Sequence, residues 1–571
     1  MTETTDKTRT STEQAPPSRG PRTGLAKWGT RAVFGSIALF AISQPFLWSW
    51  DSLFGPSIPA LVTQSMAIVS VMLLMLWVVA FSQWSWTGKL LGLLPFAFLI
   101  GGLYASIRRF DPSGDVWLDP VWVWEPTQEA RIAEHRAKVG ETSAIQVENC
   151  PITEEDSPAY RGTHRDGVVI GPEVVTSWPE PPKPMWSQPV GGGYGSMAIV
   201  GDRLVTIEQR EDNEVVVCYA ASTGRELWAH KYPAKFEEAM GGPGPRSTPT
   251  IDGDLVFAQG AEGDLVCLEL ATGKVQWSKN LLKMFDLPNT QWGLTSSPLV
   301  VDKNVIANAG GRLGDGLVAF DIATGDLMWQ GEGLTSIPVV TEEGAGPTAP
   351  ATDDSGHAKV AESKQNRPGY SSPTLVTFLG LRQIINFDGM AVRGYDPETG
   401  KVVWEHPYKN DPAVNVAQPI LFEDGRVFLS ASYGVGSTMI QVTREGDQWK
   451  ISEVWKNINL RCKFTSPILF EDHIYGLDEG IMVCIDPKTG ERLWKRGRYN
   501  HGQLMLTNGI LIVLTEDGRC VFVKPNPQEL TELGEFQALP DNHKTWNPPT
   551  LVRGKLYARN HNDMACYDLK K

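Results

Sequence analysis

GDLVCLELATGKVQWSKN, residues 263–280, reads as two short strands joined by a tight turn. Its apolar and β-branched positions follow the two-residue period of a half-buried strand rather than the period of a helix. At the turn stands Thr272-Gly273, with a tryptophan, Trp277, four residues past the glycine. The phrase Thr-Gly-x-x-x-Trp occurs five times, from Thr223, Thr272, Thr324, Thr399 and Thr489. Most copies carry an acid just before it, as in AFDIATG, GYDPETG and CIDPKTG. Glycine supplies the positive φ that closes such a hairpin, and Asp and Thr oxygens can accept from the turn amides. The tryptophan then lies on an outer strand, where a large flat ring can pack against the neighbouring unit.

Upstream of each hairpin a Ser, Thr or Asn precedes proline at the head of an apolar run: RSTPTIDGDLVFAQ, TSSPLVVDKNVIANAG, YSSPTLVTFLG, TSPILFEDHIYGL and WNPPTLVRGKLYARN. Proline is tolerated at the first residue of a strand, so each unit holds four strands. The outer-strand aromatics are Trp186, Trp228, Trp277, Trp329, Trp404, Trp455, Trp494 and, in a degenerate unit, Phe536. Most of their spacings run from 39 to 52 residues, close to the roughly 40–50 of a propeller blade. The one long gap, 75 residues from Trp329 to Trp404, contains GAGPTAPATDDSGHAKVAESKQNRPG, which reads as a flexible polar loop. Eight units result. The last supplies three strands and stops at CYDLKK, while the first strand, around PMWSQPVG, has its tryptophan but no partners before it. Joining the two closes a ring and removes the exposed sheet edges.

These units resemble the PQQ-like β-propeller repeats, whose docking pattern is Ala-x-Asp-x-x-Thr-Gly-x-x-x-Trp. Ala319, Asp321, Thr324, Gly325 and Trp329 match it in full; the other units put Cys or Gly at the small position, and the unit of Cys218 lacks the Asp. The resemblance covers roughly residues 185 to 571. It implies an all-β, eight-bladed propeller, but it is much less specific for function. The family spans quinoprotein dehydrogenases, BamB-like outer-membrane assembly factors and many uncharacterised bacterial proteins. In overall phrasing, including YRGTHRDG, GGPGPRSTPT, YGLDEG, GRYNHGQ and KTWNPPTL, the chain looks most like membrane-anchored BamB-like propellers of planctomycete-type bacteria.

The first hundred residues differ in kind. Residues 32–50, 58–81 and 90–107 are three apolar runs without a charged residue, each long enough to span a membrane at roughly 17–25 residues. Gln44 and Pro45 interrupt the first, which leaves an interfacial helix or an uncleaved signal anchor open there. No lipobox Cys is present. Lys7, Arg9, Arg19, Arg22, Lys27 and Arg31 in the tail of residues 1–31 put the N-terminus in the cytoplasm by the positive-inside bias. Three spans then place the propeller on the extracytoplasmic, periplasmic side of a multi-pass inner-membrane protein. Lys89 in the second short loop agrees, whereas Arg108 and Arg109 oppose it, and two spans would leave the propeller in the cytoplasm. A lipid anchor of BamB type is replaced here by helices, and α-helical spans favour the inner membrane.

Residues 108–184 form a Pro-rich connector whose charged stretch TQEARIAEHRAKVGE lacks an apolar stripe and reads as a solvated spacer rather than a partner helix. The formal charge of −14 argues against nucleic acid, whose binding rests on Lys and Arg neutralising phosphates. Cys218, Cys267, Cys484 and Cys566 fall at the same small position of four units, so disulfides among them are not expected, and no Cys-x-x-Cys pair suggests zinc.

Catalytic signatures are sparse. A quinoprotein dehydrogenase needs calcium ligands, a catalytic Asp and, in many members, adjacent cysteines. The chain has no Cys-Cys pair, and no Glu, Asn and Asp set aligns across successive blades. Asp478 with Glu479, and Glu516 with Asp517, read as turn acids. There is no Gly-x-Ser-x-Gly elbow or His-Glu-x-x-His helix, and His501 and His561 read as strand-end hydrogen-bonding residues near the axis. Residues just before each first strand should ring one mouth of the central channel: Arg246, Trp292, Tyr370, Gln418, Lys463, Gln503 and Trp546, with Arg461 and Lys544 beside them. That mix suits a small polar or anionic ligand or a peptide segment, and equally suits a water-lined channel. The expectation is therefore a membrane-tethered, non-catalytic scaffold for envelope or membrane proteins, without a cofactor. A membrane-bound dehydrogenase using PQQ and calcium, or a small-molecule sensor, is the alternative.

Overall fold

A computed structural model of the chain describes residues 24–49, 57–112, 118–139, 151–238, 241–311, 316–331, 366–410, 412–541 and 543–571. The chain divides into two compact units, one of residues 1–51 and 58–108, the other of residues 52–57 and 109–571.

The first unit is helical: α1 (Gly24–Ser49), α2 (Ser57–Leu76), which continues as a π turn over Trp77–Phe81, and α3 (Trp86–Ser106). All three are long and apolar enough to cross a membrane. α1 begins eight residues before the apolar run read from the sequence and continues through Pro45. Lys89 belongs to the first turn of α3 rather than to a loop, and donates to the Val79 carbonyl at 2.6 Å. The Trp77 indole at the π turn donates to Thr30 Oγ1 at 3.0 Å, and its ring meets Phe34 edge-on.

The second unit is a propeller of eight blades, each of four antiparallel strands, one of them extended by a fifth, parallel strand. Blade 1 runs from Ala198–Val200 to Glu226–Pro233, blade 2 from Thr250–Asp252 to Val275–Asn280, and blade 3 from Leu299–Val301 to Leu327–Gln330. Blade 4 spans Thr374–Phe378 to Val402–Pro407, blade 5 Ile420–Leu421 to Gln448–Asn457, and blade 6 Ile468–Phe470 to Arg492–Arg498. Blade 7 runs from Gln503–Thr507 to Thr531–Gln537. Blade 8 takes three strands from the C-terminus and its fourth from Trp186–Pro189, with Cys566 opposite Trp186 and Asp563 opposite Pro189, so the ring closes as the incomplete ends foretold. The polar loop between blades 3 and 4 lies mostly outside the described residues.

The repeat phrase has a precise job between blades. Trp186, Trp228, Trp277, Trp329 and Trp455 each donate the indole N–H, at 2.8–3.2 Å, to the next blade's carbonyl two residues before its turn threonine: Ala221, Leu270, Ile322, Pro397 and Pro487. Each ring also covers the next blade's turn glycine, where φ lies between +70° and +74° and a Cβ would collide with the indole. Glycine is therefore required twice over, by the turn and by its neighbour's tryptophan. Asp321 and Asp396 accept from the turn amides of Thr324 and Thr399, at 2.9 and 2.8 Å. Trp404 departs from the pattern and donates to Gln383 of its own blade at 2.7 Å, whereas Trp494, whose next blade also lacks a Thr-Gly turn, still donates to that blade's Asn526 carbonyl at 2.9 Å. Opposite each ring stands a small or thin residue, as in the pairs Cys218 with Trp228, Ala319 with Trp329 and Cys484 with Trp494. All described cysteines are buried and free.

The connector is not a simple spacer. Its charged stretch forms α4 (Gln128–Val139), which packs on the closing strand of blade 8. Gln128 donates to the carbonyls of Val190 and Asn562, at 2.5 and 2.6 Å, Arg131 pairs with Asp563, and Arg136 with Glu226. The helix needs no apolar stripe because ionic and amide groups hold it across the seam where blade 8 meets blade 1.

Candidate functional site

The Ser/Thr-Pro signature builds the channel wall. The residue before proline in one blade accepts, through its side chain, from the N–H of its counterpart one blade earlier. Ser196 donates to Thr248 Oγ1, Thr248 to Ser297 Oγ, Ser297 to Ser372 Oγ, Ser372 to Gln418 Oε1 and Gln418 to Ser466 Oγ, at 2.9–3.2 Å. This belt joins the first strands around the axis.

On one side of the belt the channel is filled by the protein's own residues 156–169. Ser157 forms a bridge with Ile199, Ile251 N–H donates to the Pro158 carbonyl, and Val168–Val169 adds a parallel strand to the inner edge of blade 7. Arg165, almost wholly buried, donates to the carbonyls of Ser297, Pro298 and Pro373 and to Thr250 Oγ1. Arg161 reaches the carbonyls of Leu504 and Pro467 opposite. The inner edges of first strands have no further strand to pair with, and these two guanidiniums satisfy part of that edge. Burial pushes the Arg165 guanidinium down to about 9, which leaves it charged near neutral pH. The phrase YRGTHRDG is thus an axial plug. Nothing periodic in the sequence marks it, because one short segment bonds to backbone carbonyls of many blades.

On the other side of the belt lies an aromatic bowl. Two residues before each belt position stand Tyr194, Arg246, Thr295, Tyr370, Phe464 and, in blade 8, Trp546. Trp546 packs against both Tyr194 and Phe464, with ring centroids 4.9 and 5.0 Å apart. The Arg246 guanidinium lies over Tyr194 at 5.7 Å and Phe236 at 4.8 Å. Trp292 meets Tyr370 edge-on at 5.6 Å. Lys463 and Lys544 reach over Phe464 and Trp546. Arg246, Trp292, Tyr370, Lys463 and Trp546 are therefore gathered at one mouth. Gln418 and Gln503 are not part of its lining: both are buried, Gln418 clamping Ser372 and Gln503 donating to the Phe464 carbonyl at 3.1 Å. Tyr194 and Phe464 went unread in the sequence, although their fixed offset from the belt residue could have found them.

Several buried acids of the propeller are engaged. Arg461 and Lys495 bond the buried Asp478, outweighing its desolvation and holding its carboxyl below the usual range. Asp388 is bonded to Arg393. Glu516, read as a turn acid, accepts from the Trp546 indole at 2.9 Å and so orients a bowl residue. His561 is buried against Tyr194 and accepts from Gly193 N–H at 3.2 Å; desolvation pushes its pKa well down, so it stands neutral. His501 lies beside Phe464. Among the described residues no group of three or more His, Cys, Asp and Glu is placed to hold a metal ion.

Comparison with known proteins follows this geometry. The family model described as outer membrane protein assembly factor BamB matches residues 174–343 and 293–496. No curated protein sequence matches. Among solved structures, BamB from Moraxella catarrhalis is similar at 16% identity and TM-score 0.43, covering 67% of this chain and 98% of that one. Quinohemoprotein alcohol dehydrogenase ADHIIG from Pseudomonas putida HK5 is similar at 12% identity and TM-score 0.43, covering 73% and 80%. A europium-containing methanol dehydrogenase is similar at 12% identity and TM-score 0.42, covering 73% and 99%.

Proposed function

The chain belongs to the family described as outer membrane protein assembly factor BamB, and from that premise we propose that it is a membrane-tethered, non-catalytic propeller whose bowl holds segments of other envelope proteins. One observation carries the reading: the mouth is lined by aromatic faces with cations over them. Such a surface offers π faces, guanidinium and ammonium groups to a peptide with aromatic or acidic side chains. The binding residues are Arg246, Trp292, Tyr370, Lys463 and Trp546, joined by Tyr194 and Phe464.

Three apolar helices supply the tether, and tethering raises the local concentration of membrane partners. The basic tail puts the N-terminus in the cytoplasm and the propeller on the periplasmic face of the inner membrane. A reporter fused after Lys571 tests this: activity of a periplasm-dependent reporter is expected, and activity of a cytoplasm-dependent one overturns the orientation. The non-catalytic reading is tested by titrating the full chain with PQQ and calcium while following thermal unfolding. A ligand at 100 times its Kd would add roughly 2.7 kcal/mol. No shift is expected; a saturable shift together with alcohol or sugar oxidation would establish a dehydrogenase instead.

A further inference from the structure

The chain leaves α3 at Ser106 and enters a strand, Ile107–Pro112, at the next residue; this pairs with Leu118–Trp122 in a sheet of two strands only. An isolated two-stranded hairpin is marginal in water. This one is also richly apolar on its surface: Trp124 is 66% exposed, Phe110 50%, Leu118 45% and Val123 45%. Trp122 and Trp124 stack with centroids 5.0 Å apart and planes 8° from parallel. An exposed aromatic cluster on a weak hairpin needs a cover. The chain's course names it, because the cluster starts within a few residues of the end of a helix that fits a bilayer. Tryptophan is enriched at the boundary of headgroups and acyl chains, where a flat amphipathic ring is most at home.

We propose that residues 107–112 and 118–124 form an interfacial anchor whose Phe110, Trp122 and Trp124 insert into the headgroup region of the bilayer crossed by α3, holding the start of the connector against the membrane. The occupant of this surface is lipid. In the sequence Arg108 and Arg109 beside Phe110 are balanced by Asp111, Asp119 and Glu125, so insertion is driven by the rings and does not depend on anionic lipid. The proposal rests on the membrane-tethered reading above.

The test uses the full chain in phosphatidylcholine vesicles, with a photoreactive benzoylphenylalanine placed singly at Trp124, Phe110, Val69 of α2 or Val454 of the propeller. After illumination, lipid adducts are measured by mass spectrometry. Adducts at Trp124 and Phe110 roughly tenfold above Val454, close to the yield at Val69 and unchanged by high salt, are expected. Adducts at Val69 but not at Trp124 or Phe110, or cross-links from Trp124 to protein alone, overturn the anchor and leave tethering standing. No adduct at Val69 removes the tethering reading and the anchor with it.

Discussion

Replacing Arg165 by alanine tests whether the plug is part of the propeller's stability or merely parked in its channel. The side chain donates four hydrogen bonds, to the Ser297, Pro298 and Pro373 carbonyls and to Thr250 Oγ1, linking blades 2, 3 and 4 from inside. Hydrogen bonds from a charged donor contribute about 1.5–3 kcal/mol each, so four could supply about 6–12 kcal/mol. Taking a guanidinium out of water without a carboxylate partner offsets several kcal/mol of that. Alanine restores the solvation but leaves the Ser297 and Pro373 carbonyls short of a donor, at about 1–3 kcal/mol each before either relaxes, while Pro298 keeps its bond from Thr250 Oγ1. The net loss should be about 3–5 kcal/mol, a large share of the roughly 5–15 kcal/mol that holds a protein folded. Urea unfolding of the full chain in detergent, followed by tryptophan fluorescence, measures it, with the slope checked for two-state behaviour. Hydrogen exchange should speed at Ile251, whose N–H donates to Pro158 of the plug. Arg165→Lys, which keeps the charge but loses the fork, should fall between. An alanine variant within about 0.5 kcal/mol of the parent, with Ile251 exchange unchanged, refutes the reasoning.

Trp277→Ala should cost about 3–5 kcal/mol from the cavity against Gly325 and the lost bond to Ile322, while Trp277→Phe should cost less, both read by the same unfolding assay. Glu214 is buried, accepts from Tyr232 and Ala261, and desolvation raises its pKa to about 7. The folded state therefore holds a proton that the unfolded state releases near 4.5, so this group's contribution is full below about 4.5 and is lost as pH rises through about 7. Glu214→Gln, which imitates the protonated form, should flatten stability across that window and gain about 2–3 kcal/mol at pH 8; an unchanged pH profile would contradict it. Removing the seam contacts of α4 with Gln128→Ala and Arg131→Ala should raise hydrogen exchange at Asp563–Asp568 without altering blades 3 to 5, and uniform protection would show the helix to be incidental.

The parts of the fold that repeat were legible. The turn glycine, the acid before it in most copies and the tryptophan each answer to a local rule, and five copies made the rule visible. Ring closure followed from counting strands, because Trp186 had no blade of its own and Asp568 ended one strand short. Trp404 shows the limit: its sequence context matches the others, yet its indole bonds Gln383 of its own blade rather than the next blade's turn. The candidate site was half legible for a related reason. Arg246, Tyr370 and Trp546 share an offset from the belt, while Gln418 is itself a belt residue and is consumed by Ser372. The plug and α4 occur once each and bind backbone carbonyls or rim charges, so no periodicity announces them. Their partners lie up to several hundred residues away in the chain.

The scaffold reading is tested most directly at the bowl itself. Benzoylphenylalanine at Tyr370, which lies beside Trp292 at the open mouth, would be activated in native membranes, alone and together with Arg246→Ala. A discrete adduct with one envelope protein, lost when Arg246 is removed, is the expected result. The absence of any protein adduct from Tyr370 in membranes where the chain is folded and abundant would contradict a partner-binding role for the bowl.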